Sequence, residues 1–532
     1  MATTTPVLAS TAYKKQIATI GSGHYDVTHY GATGDGATDD AVACQAALDA
    51  AKAAGGGTVY FPAGTYIVGL LSDNGQTHST KIKGGLKIGD NTTVCGDGFS
   101  SILKVDADSY SNATWSKMGV FVNDDLAGGN SNITIRDLKL DGNQTNVVLA
   151  ATEQELIDFV SVTNSLIENL YLTDSVQDTI DLDTCTDITI NNIIVKNPVA
   201  EKANMYNGVH GGGTRISVTN SYFEYCGEAR IAADDFFAAI DISAEGAKVS
   251  GNVIKNCARG VTMATGAVDS IISNNSITNC DRAGIKIISG ASRTIVSNNA
   301  VNNVNIDASG DDDDQWCIYA EASNTTIANN ILNFGSQKKG IKAITTTQGV
   351  TVTGNYVAAS EFGIHINCAG SSQVTNNKIQ GTCTVHAIEC DGGATTVVAN
   401  IIDGRPSNSA RGAIDVNTNA NFSVVSANII KGDAAGMAVH IDADDCMVSS
   451  NYIEGTGAAP ADISIKGADC VIFGNRCKEA ATLGLLASAT ATNILVYGNN
   501  FTGCTAGVDV TTTPPTNPQV SPATGPAANI NV

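Results

Sequence analysis

Aromatic residues and positive charges are scarce in this chain, and two common sequence signals are absent. Of its 532 residues 5% are aromatic, and 30 Lys and Arg stand against 52 Asp and Glu, a net charge of −22. This excess of acid argues against nucleic-acid binding, which needs a basic surface. No apolar run approaches the ~18 residues of a membrane span, and the first residues lack a signal-peptide pattern. We therefore expect neither a nucleic acid nor a membrane as partner.

The cysteines are numerous but are not spaced like metal ligands. None of the 14 forms a Cys-x-x-Cys pair, the spacing typical of metal or redox sites. Four of them follow a recurring asparagine by five or six residues: Cys226, Cys257, Cys280 and Cys504. That regular placement favours small, buried, apolar side chains over disulfides.

A short repeat is the most informative feature of the chain. An asparagine in an x-Asn-x-Ile/Val phrase returns at intervals of 22 to 32 residues. It stands at Asn169, Asn192, Asn220, Asn252, Asn275, Asn299, Asn330, Asn355, Asn377, Asn400, Asn428, Asn451, Asn475 and Asn499. Units this short cannot bury an apolar face alone and must stack on their neighbours. Because the units are strand-like, the repeat predicts an all-β fold, a right-handed parallel β-helix with about one coil per repeat.

Four segments follow from this pattern. Residues 1–22 form a polar leader, 23–100 a cap with the first coils, 101–511 the β-helix and 512–532 a proline-rich tail. In the cap, Thr38 is the expected N-cap of a helix that runs to about Ala54. Its predicted apolar face contains Ala41, Cys44, Ala47, Leu48 and Ala51. Such a helix would cover the open end of the stack.

The cap also carries a family resemblance. Residues 25–27 read Tyr-Asp-Val, residues 31–40 Gly-Ala-Thr-Gly-Asp-Gly-Ala-Thr-Asp-Asp, and residues 56–66 Gly-Gly-Thr-Val-Tyr-Phe-Pro-Ala-Gly-Thr-Tyr. Together they resemble the N-terminal signature of the pectate-lyase-like superfamily, which includes phage tailspike depolymerases, polygalacturonase-type hydrolases, polysaccharide lyases and polymannuronate epimerases. The likeness to tailspike depolymerases implies a polysaccharide substrate, a homotrimer, and an extracellular or virion location.

Polar residues alternate with apolar ones in the repeat strands, so one polar stripe should face outward. The stripe comprises Asp181, Asp183, His210, Asp241, Ser243, Thr262, Lys286, Tyr319, Glu321, Lys342, His365, Asn367, Glu389, Asp391, Asp415, Asn417, His440 and Asp442. The longer repeat units predict wall loops at 146–155, 200–207, 227–237 and 307–316. These loops flank the early part of the stripe, so we expect the substrate cleft between Asp181 and Trp316.

Within that cleft the residue types are those of glycoside hydrolysis, in which one carboxyl group protonates the leaving oxygen and another activates water. The predicted catalytic residues are Asp181, Asp183, His210 and Asp241, with Glu228 on a wall loop. The predicted substrate-binding residues are Arg230, Asp235, Lys286, Trp316 and Tyr319, with Trp316 stacking on a sugar ring. Each of these side chains could equally be an ordinary solvated surface residue.

Other functions fit the same sequence. A polysaccharide lyase would use Lys286, His210 or Tyr319 as the base that removes the proton at C5 of a uronic acid. An epimerase is a third option, although the chain has no Asp-Pro-His-Glu phrase. A carbohydrate-binding or structural fibre protein would bind a polymer without shortening it. We expect no cofactor, with Ca²⁺ at the acidic run 311–314 as the alternative.

Overall fold

The computed structural model divides into two compact units, Met1–Thr262 and Met263–Val532, and each is described by itself. The described residues are 23–69, 71, 85–107, 117–144, 146, 153–175, 177–197, 207–227, 237–304, 315–333, 339–346, 348–358, 361–381, 383–455, 459–478, 483–488, 490–501, 504, 506–510 and 519–520. The predicted leader lies outside them, as do the central parts of the four predicted wall loops.

The predicted helix is present near the start of the first unit. Helix α1 spans Ala41–Ala53, and its buried residues are the five that the sequence predicts. Its beginning differs from the prediction, because Thr38 lies in a strand and Asp40 takes the N-cap position. The Asp40 carboxylate does not cap the helix; it accepts hydrogen bonds from the backbone N–H groups of Thr33 and Gly34, at 2.7 and 3.1 Å. The acid therefore holds the preceding turn in place.

The rest of the regular secondary structure is strand, apart from two 3₁₀ turns among the described residues, at Val27–Tyr30 and Gly98–Ser100. The strands of the first unit are β1 His24–Asp26, β2 Asp35–Asp39, β3 Gly57–Phe61, β4 Gly64–Val68, β5 Leu86–Ile88, β6 Thr92–Gly96, β7 Ser101–Val105, β8 Lys117–Asn123, β9 Thr134–Asp141, β10 Glu153–Val160, β11 Thr163–Thr173, β12 Ile180–Asn191, β13 Ile194–Lys196, β14 Val209–Thr219, β15 Tyr222–Glu224, β16 Ile240–Glu245, β17 Lys248–Ser250 and β18 Val253–Lys255. Strand β19, Val261–Met263, lies at the boundary between the units.

Strands of the second unit are shorter and more regular. They are β20 Ile271–Ser273, β21 Ser276–Thr278, β22 Ile285–Ile287, β23 Ile295–Ser297, β24 Ala300–Asn302, β25 Trp316–Ala320, β26 Thr326–Ala328, β27 Ile331–Asn333, β28 Lys339–Thr345, β29 Thr351–Thr353, β30 Tyr356–Ala358, β31 Phe362–Cys368, β32 Ser372–Thr375, β33 Lys378–Gln380, β34 His386–Cys390, β35 Thr395–Val398, β36 Ile401–Asp403, β37 Gly412–Val416, β38 Val424–Ser426, β39 Ile429–Lys431, β40 Met437–Ile441, β41 Met447–Ser449, β42 Tyr452–Glu454, β43 Ile463–Ile465, β44 Val471–Phe473, β45 Arg476–Lys478, β46 Leu483–Ala487, β47 Leu495–Tyr497, β48 Ala506–Val510 and β49 Gln519–Val520.

These strands confirm the predicted right-handed parallel β-helix. In each unit a strand pairs in parallel with its equivalent in the next coil, as β10, β12, β14 and β16 do in the first unit. In the second unit, β28, β31, β34, β37 and β40 are stacked in the same way. The last strand, Gln519–Val520, pairs with Leu495–Val496. The ladder therefore continues past Thr511, where the sequence predicted its end.

The recurring asparagine occupies two different positions. In the second unit it is buried and forms a ladder; for example, Asn377 donates from Nδ2 to Asn400 Oδ1 at 3.0 Å. In the first unit, Asn169, Asn192 and Asn220 instead adopt left-handed turns, each with φ 52°. The buried ladder position there is the next residue, such as Ser221, which donates its backbone N–H to Asn252 Oδ1. In these early coils the predicted position of the repeat residue is therefore wrong by one residue.

All 14 cysteines are free and buried, which confirms the expected packing role. No helix among the described residues combines the length and apolar character needed to cross a membrane.

Candidate functional site

The first candidate site lies on strands β12, β14 and β16 of the first unit. Asp181 pairs in register with His210, and His210 with Asp241, so the three side chains form one column on successive coils. This confirms the predicted spacing of these three residues. The coil before them adds Asp158, which is fully buried and pairs in register with Asp181. Sequence reasoning overlooked Asp158, although Ile157-Asp158-Phe159 has the same apolar-Asp-apolar pattern as Ile180-Asp181-Leu182.

Hydrogen bonds organise this column around the imidazole. His210 Nδ1 lies 2.9 Å from Asp181 Oδ1. Asp178, two residues before β12, accepts bonds at Oδ1 from the backbone N–H and the side-chain amide of Asn207, at 2.8 and 2.9 Å. Ligand atoms of Asp178, Asp181 and His210 lie within 4.8 Å of one another, a spacing that could also hold a cation.

The environment moves the pKa values of these groups toward or beyond neutrality. Burial is the largest influence on His210 and would lower its pKa, but the Asp181 hydrogen bond and the charges of Asp178 and Asp241 outweigh it and raise the pKa to about 9. Burial raises the pKa of Asp241 to about 7, against the opposing charges of His210 and Arg259. The site therefore combines an imidazolium with a carboxyl group that titrates near neutral pH.

Burial of the column is greater than the sequence predicted. Asp181 and Asp241 are 7% and 4% exposed, whereas 41% of the His210 side chain is exposed. The predicted solvent-exposed stripe is wrong for the two carboxylates, because side chains on adjacent coils, about 4.8 Å apart, cover one another. Asp241 Oδ1 has no hydrogen-bond partner among the described residues. A buried acceptor in that state usually marks strain, function or an absent ligand.

The remaining predicted catalytic residues are less closely connected. Asp183 lies two residues beyond Asp181 on β12, and in the described part of the chain no hydrogen bond joins its carboxylate to His210. Glu228, Arg230 and Asp235 lie outside the described residues. Their predicted roles stay predictions.

Lys286, Trp316 and Tyr319 belong to the second unit, where they are buried rather than forming an open sugar platform. Lys286 pairs in register with Tyr319, and its Nζ lies 5.6 Å from the centre of that ring. Lys342 Nζ lies 5.6 Å from the Trp316 ring centre. Trp316 and Tyr319 are 1% and 2% exposed. The structure thus disagrees with the prediction that Trp316 stacks on a sugar ring, because lysine side chains and neighbouring coils cover both aromatic rings.

A second group of titratable residues lies on strands β31, β34, β37 and β40. His365, Glu389, Asp415 and His440 follow one another in register. Asp391 and Asp442 lie two residues further along their chain segments and contact the histidines, as in the 2.7 Å bond between Asp391 Oδ2 and His365 Nε2. The sequence placed these residues on the polar stripe but located the cleft upstream of them.

Comparisons with known proteins identify the architecture. A family model described as "Right handed beta helix region" matches residues 231–357 and 362–521. A second, "Rhamnogalacturonase A/epimerase, pectate lyase-like", matches residues 25–286 and includes the whole Asp181–His210–Asp241 column.

The curated relatives are similar over short segments. Mannuronan C5-epimerase AlgE6 of Azotobacter vinelandii is 36% identical over 126 residues, 23% of this chain and 13% of that protein. Mannuronan C5-epimerase AlgE4 of the same organism is 38% identical over 123 residues, 23% of this chain and 20% of that protein. The chain therefore spans a fifth or less of the length of these two relatives.

Among solved structures, a double mutant of the tailspike protein of E. coli bacteriophage HK620 is 13% identical, with a TM-score of 0.53, and the match covers 89% of this chain and 80% of that one. A further mutant of that tailspike, in complex with a pentasaccharide, is 14% identical with a TM-score of 0.50, covering 89% and 78%. At these identities the likeness shows the fold.

Proposed function

The chain belongs to the right-handed β-helix family, and on that premise we propose that it is an enzyme that acts on a polysaccharide. The Asp181–His210–Asp241 column supports this proposal, because it places two acids and an imidazole on one face of a stack suited to a long polymer. The pectate-lyase-like family match covers this column. The mannuronan C5-epimerases to which the chain is similar are named for a polysaccharide, mannuronan.

Within this class we propose hydrolysis of a glycosidic bond. Asp241, whose pKa lies near 7, is the general acid: it gives its proton to the leaving glycosidic oxygen as the C1–O bond breaks. Asp181, hydrogen-bonded to the His210 imidazolium, is the base: it takes a proton from the water whose oxygen bonds to C1. The two residues are two coils apart, or ~9–10 Å at the backbone. That spacing favours the inverting reaction, in which the carboxyl groups lie ~6.5–9.5 Å apart.

Removal of the C5 proton of a uronic acid is the second candidate reaction, and the similarity to mannuronan C5-epimerases favours it. Return of a proton to the opposite face would give epimerisation, and loss of the 4-linked sugar would give a lyase product with a double bond. His210 with a pKa of about 9 is protonated at neutral pH, so it would donate the returning proton, and the Asp181 carboxylate beside it would take the C5 proton.

The decisive experiment incubates the full chain with capsular polysaccharides, plant polysaccharides and mannuronan. Reducing ends report hydrolysis, ultraviolet absorbance reports a lyase, and proton NMR of an unshortened polymer reports epimerisation. We expect reducing ends without absorbance. Asp181→Asn and Asp241→Asn should each lower the rate at least ~10²-fold, the usual contribution of acid–base catalysis.

Asp187→Asn is the matched control, because it removes an exposed Asp187–Arg215 ion pair between the same two strands, β12 and β14. It should leave the rate unchanged. If every polymer binds but none changes, the carbohydrate-binding or fibre function replaces the enzyme. If both site variants match the parent, this column is not the active site.

We also propose that the protein acts outside the cell or on a virion, as a homotrimer. One column of the second unit supports assembly, because three isoleucines lie on its outer face, with Tyr356 and Lys378 between the first and the second. Ile331, Ile401 and Ile429 of this column are 55%, 43% and 37% exposed. Light scattering after gel filtration should give three times the monomer mass; a monomer would overturn this assembly.

A further inference from the structure

Three side chains of the second unit converge on one point of its outer wall. His365 on β31 pairs in register with Glu389 on β34, and Asp391 follows β34 by one residue. His365 Nε2 lies 2.7 Å from Asp391 Oδ2 and 3.8 Å from Glu389 Oε2. Ligand atoms of all three residues lie within 4.8 Å of one another.

A fourth residue, Asn417, orients the two carboxylates. Its Nδ2 donates to Glu389 Oε1 at 3.3 Å and also to Asp391 Oδ1. The oxygens that Asn417 does not contact, Glu389 Oε2 and Asp391 Oδ2, are the ones nearest the imidazole nitrogen. One imidazole N–H can donate fully to only one of them. Two carboxylate oxygens, one from each acid, thus face a single donor.

The surroundings hold this group in place and leave one side open. The His365 ring is stacked on Phe362, with centres 5.9 Å apart and planes at 18°. Side-chain exposure is 14% for His365, 10% for Glu389 and 27% for Asp391. Solvent therefore reaches the group on the Asp391 side, while packing fixes the imidazole.

We propose that His365, Glu389 and Asp391 form a binding site for one divalent transition-metal ion of the Zn²⁺ or Mn²⁺ type. An imidazole with two carboxylates suits these ions, whereas Ca²⁺ takes oxygen ligands alone. Metal–ligand bonds of about 2.1 Å in tetrahedral or octahedral geometry place neighbouring ligand atoms ~3.0–3.4 Å apart. The distances from His365 Nε2 to Asp391 Oδ2 and to Glu389 Oε2, 2.7 and 3.8 Å, lie on either side of that range. Asn417 supplies the outer hydrogen bonds that metal-binding carboxylates usually have.

This site joins two adjacent coils and keeps a coordination position toward solvent. The group Asp178, Asp181 and His210 has similar spacing, but there Asp178 Oδ1 already accepts two hydrogen bonds from Asn207. The proposal does not depend on the hydrolytic activity proposed above.

Calorimetric titration of the EDTA-stripped full chain with ZnCl₂ and with MnCl₂ tests the site. We expect one ion per chain, with affinity at least 100-fold lower in His365→Ala and 10- to 100-fold lower in Asn417→Ala. The bound ion should also raise the melting temperature of the parent but not of His365→Ala. Should His365→Ala fail to fold, Asp391→Asn serves instead, with at least a 10-fold loss expected.

His440→Asn is the matched control. His440 lies three coils beyond His365 in the same column, and it contacts Asp415 and Asp442. Its variant should keep the parent affinity within about threefold. Absence of one-site binding with both ions, or undiminished binding by His365→Ala, overturns the proposal; the group is then a hydrogen-bonded ion pair. Asp241→Asn should bind the metal normally, which separates this test from that of hydrolysis.

Discussion

Replacing Asn377 with alanine should destabilise the second unit far more than its small change in volume implies. Asn377 is 1% exposed and lies within the asparagine ladder. Its Oδ1 accepts from the backbone N–H and the Nδ2 of Asn355, at 2.9 and 3.0 Å. Its Nδ2 donates to Val352 O and Asn400 Oδ1, at 2.9 and 3.0 Å. Alanine removes all four hydrogen bonds.

The expected loss follows from the partners left behind. The backbone N–H of Asn355 loses its acceptor inside the protein, which costs about 1–3 kcal/mol. The other three hydrogen bonds each contribute about 0.5–1.5 kcal/mol net. Together these losses lower the free energy of unfolding by at least about 2.5 kcal/mol, since no water can readily enter a site this buried.

Guanidinium unfolding followed by circular dichroism measures this loss. The neighbouring Asn376 is the control, because it is exposed in a left-handed turn with φ 57°. Glycine occupies the equivalent turn position at Gly354 and Gly474. Asn376→Gly should therefore change stability by no more than about 0.5 kcal/mol. If Asn377→Ala shifts the unfolding midpoint no more than Asn376→Gly does, the ladder does not stabilise the stack as argued.

Three further outcomes are expected. Arg405 and Asp462 form an ion pair of 2.9 Å, each side chain 1% exposed; Arg405→Ala should cost about 3–5 kcal/mol in denaturant unfolding, and a paired replacement by Met and Leu should recover most of it. Because folding raises the pKa of Asp241 from 3.8 to about 7 and of His210 from 6.5 to about 9, both groups bind protons more tightly in the folded state. Their contributions to the free energy of unfolding fall as pH rises, through pH 3.8–7 for Asp241 and pH 6.5–9 for His210. In a plot of the free energy of unfolding against pH, His210→Asn should flatten the part between pH 6.5 and 9; an unchanged slope there would contradict the raised pKa of His210. For hydrolysis, kcat/KM should decline above about pH 7 as Asp241 loses its proton; a plateau through pH 9 would show that another group is the acid.

Much of the fold could be predicted because local patterns report it directly. The buried face of α1 follows from helical periodicity, and the burial of four cysteines follows from their place five or six residues after the repeat asparagine. The column of Asp181, His210 and Asp241 was also predictable. Each stands at the same place in an apolar-polar-apolar strand, and stacked coils bring equivalent positions together.

The candidate sites were less predictable because they depend on how coils meet. Asp158 was overlooked because its coil precedes the first recognised asparagine of the repeat. The one-residue offset at Asn220 was invisible because asparagine is favoured both in left-handed turns and in a buried ladder. The shift becomes apparent only from the turn conformation and from the hydrogen bond of Ser221 to Asn252.

The sequence by itself therefore determined the stacked architecture, since a period of 22 to 32 residues with alternating strands leaves an apolar face that only another coil can cover. Only the tertiary structure determined which polar side chains are buried and which of them meet on the outer face of the coils. It buried Asp241 and Trp316, and it brought His365 to Glu389 and Asp391, more than 20 residues away along the chain. The physical reason is that desolvation and hydrogen bonding depend on the neighbouring coils, which a strand's own sequence does not specify.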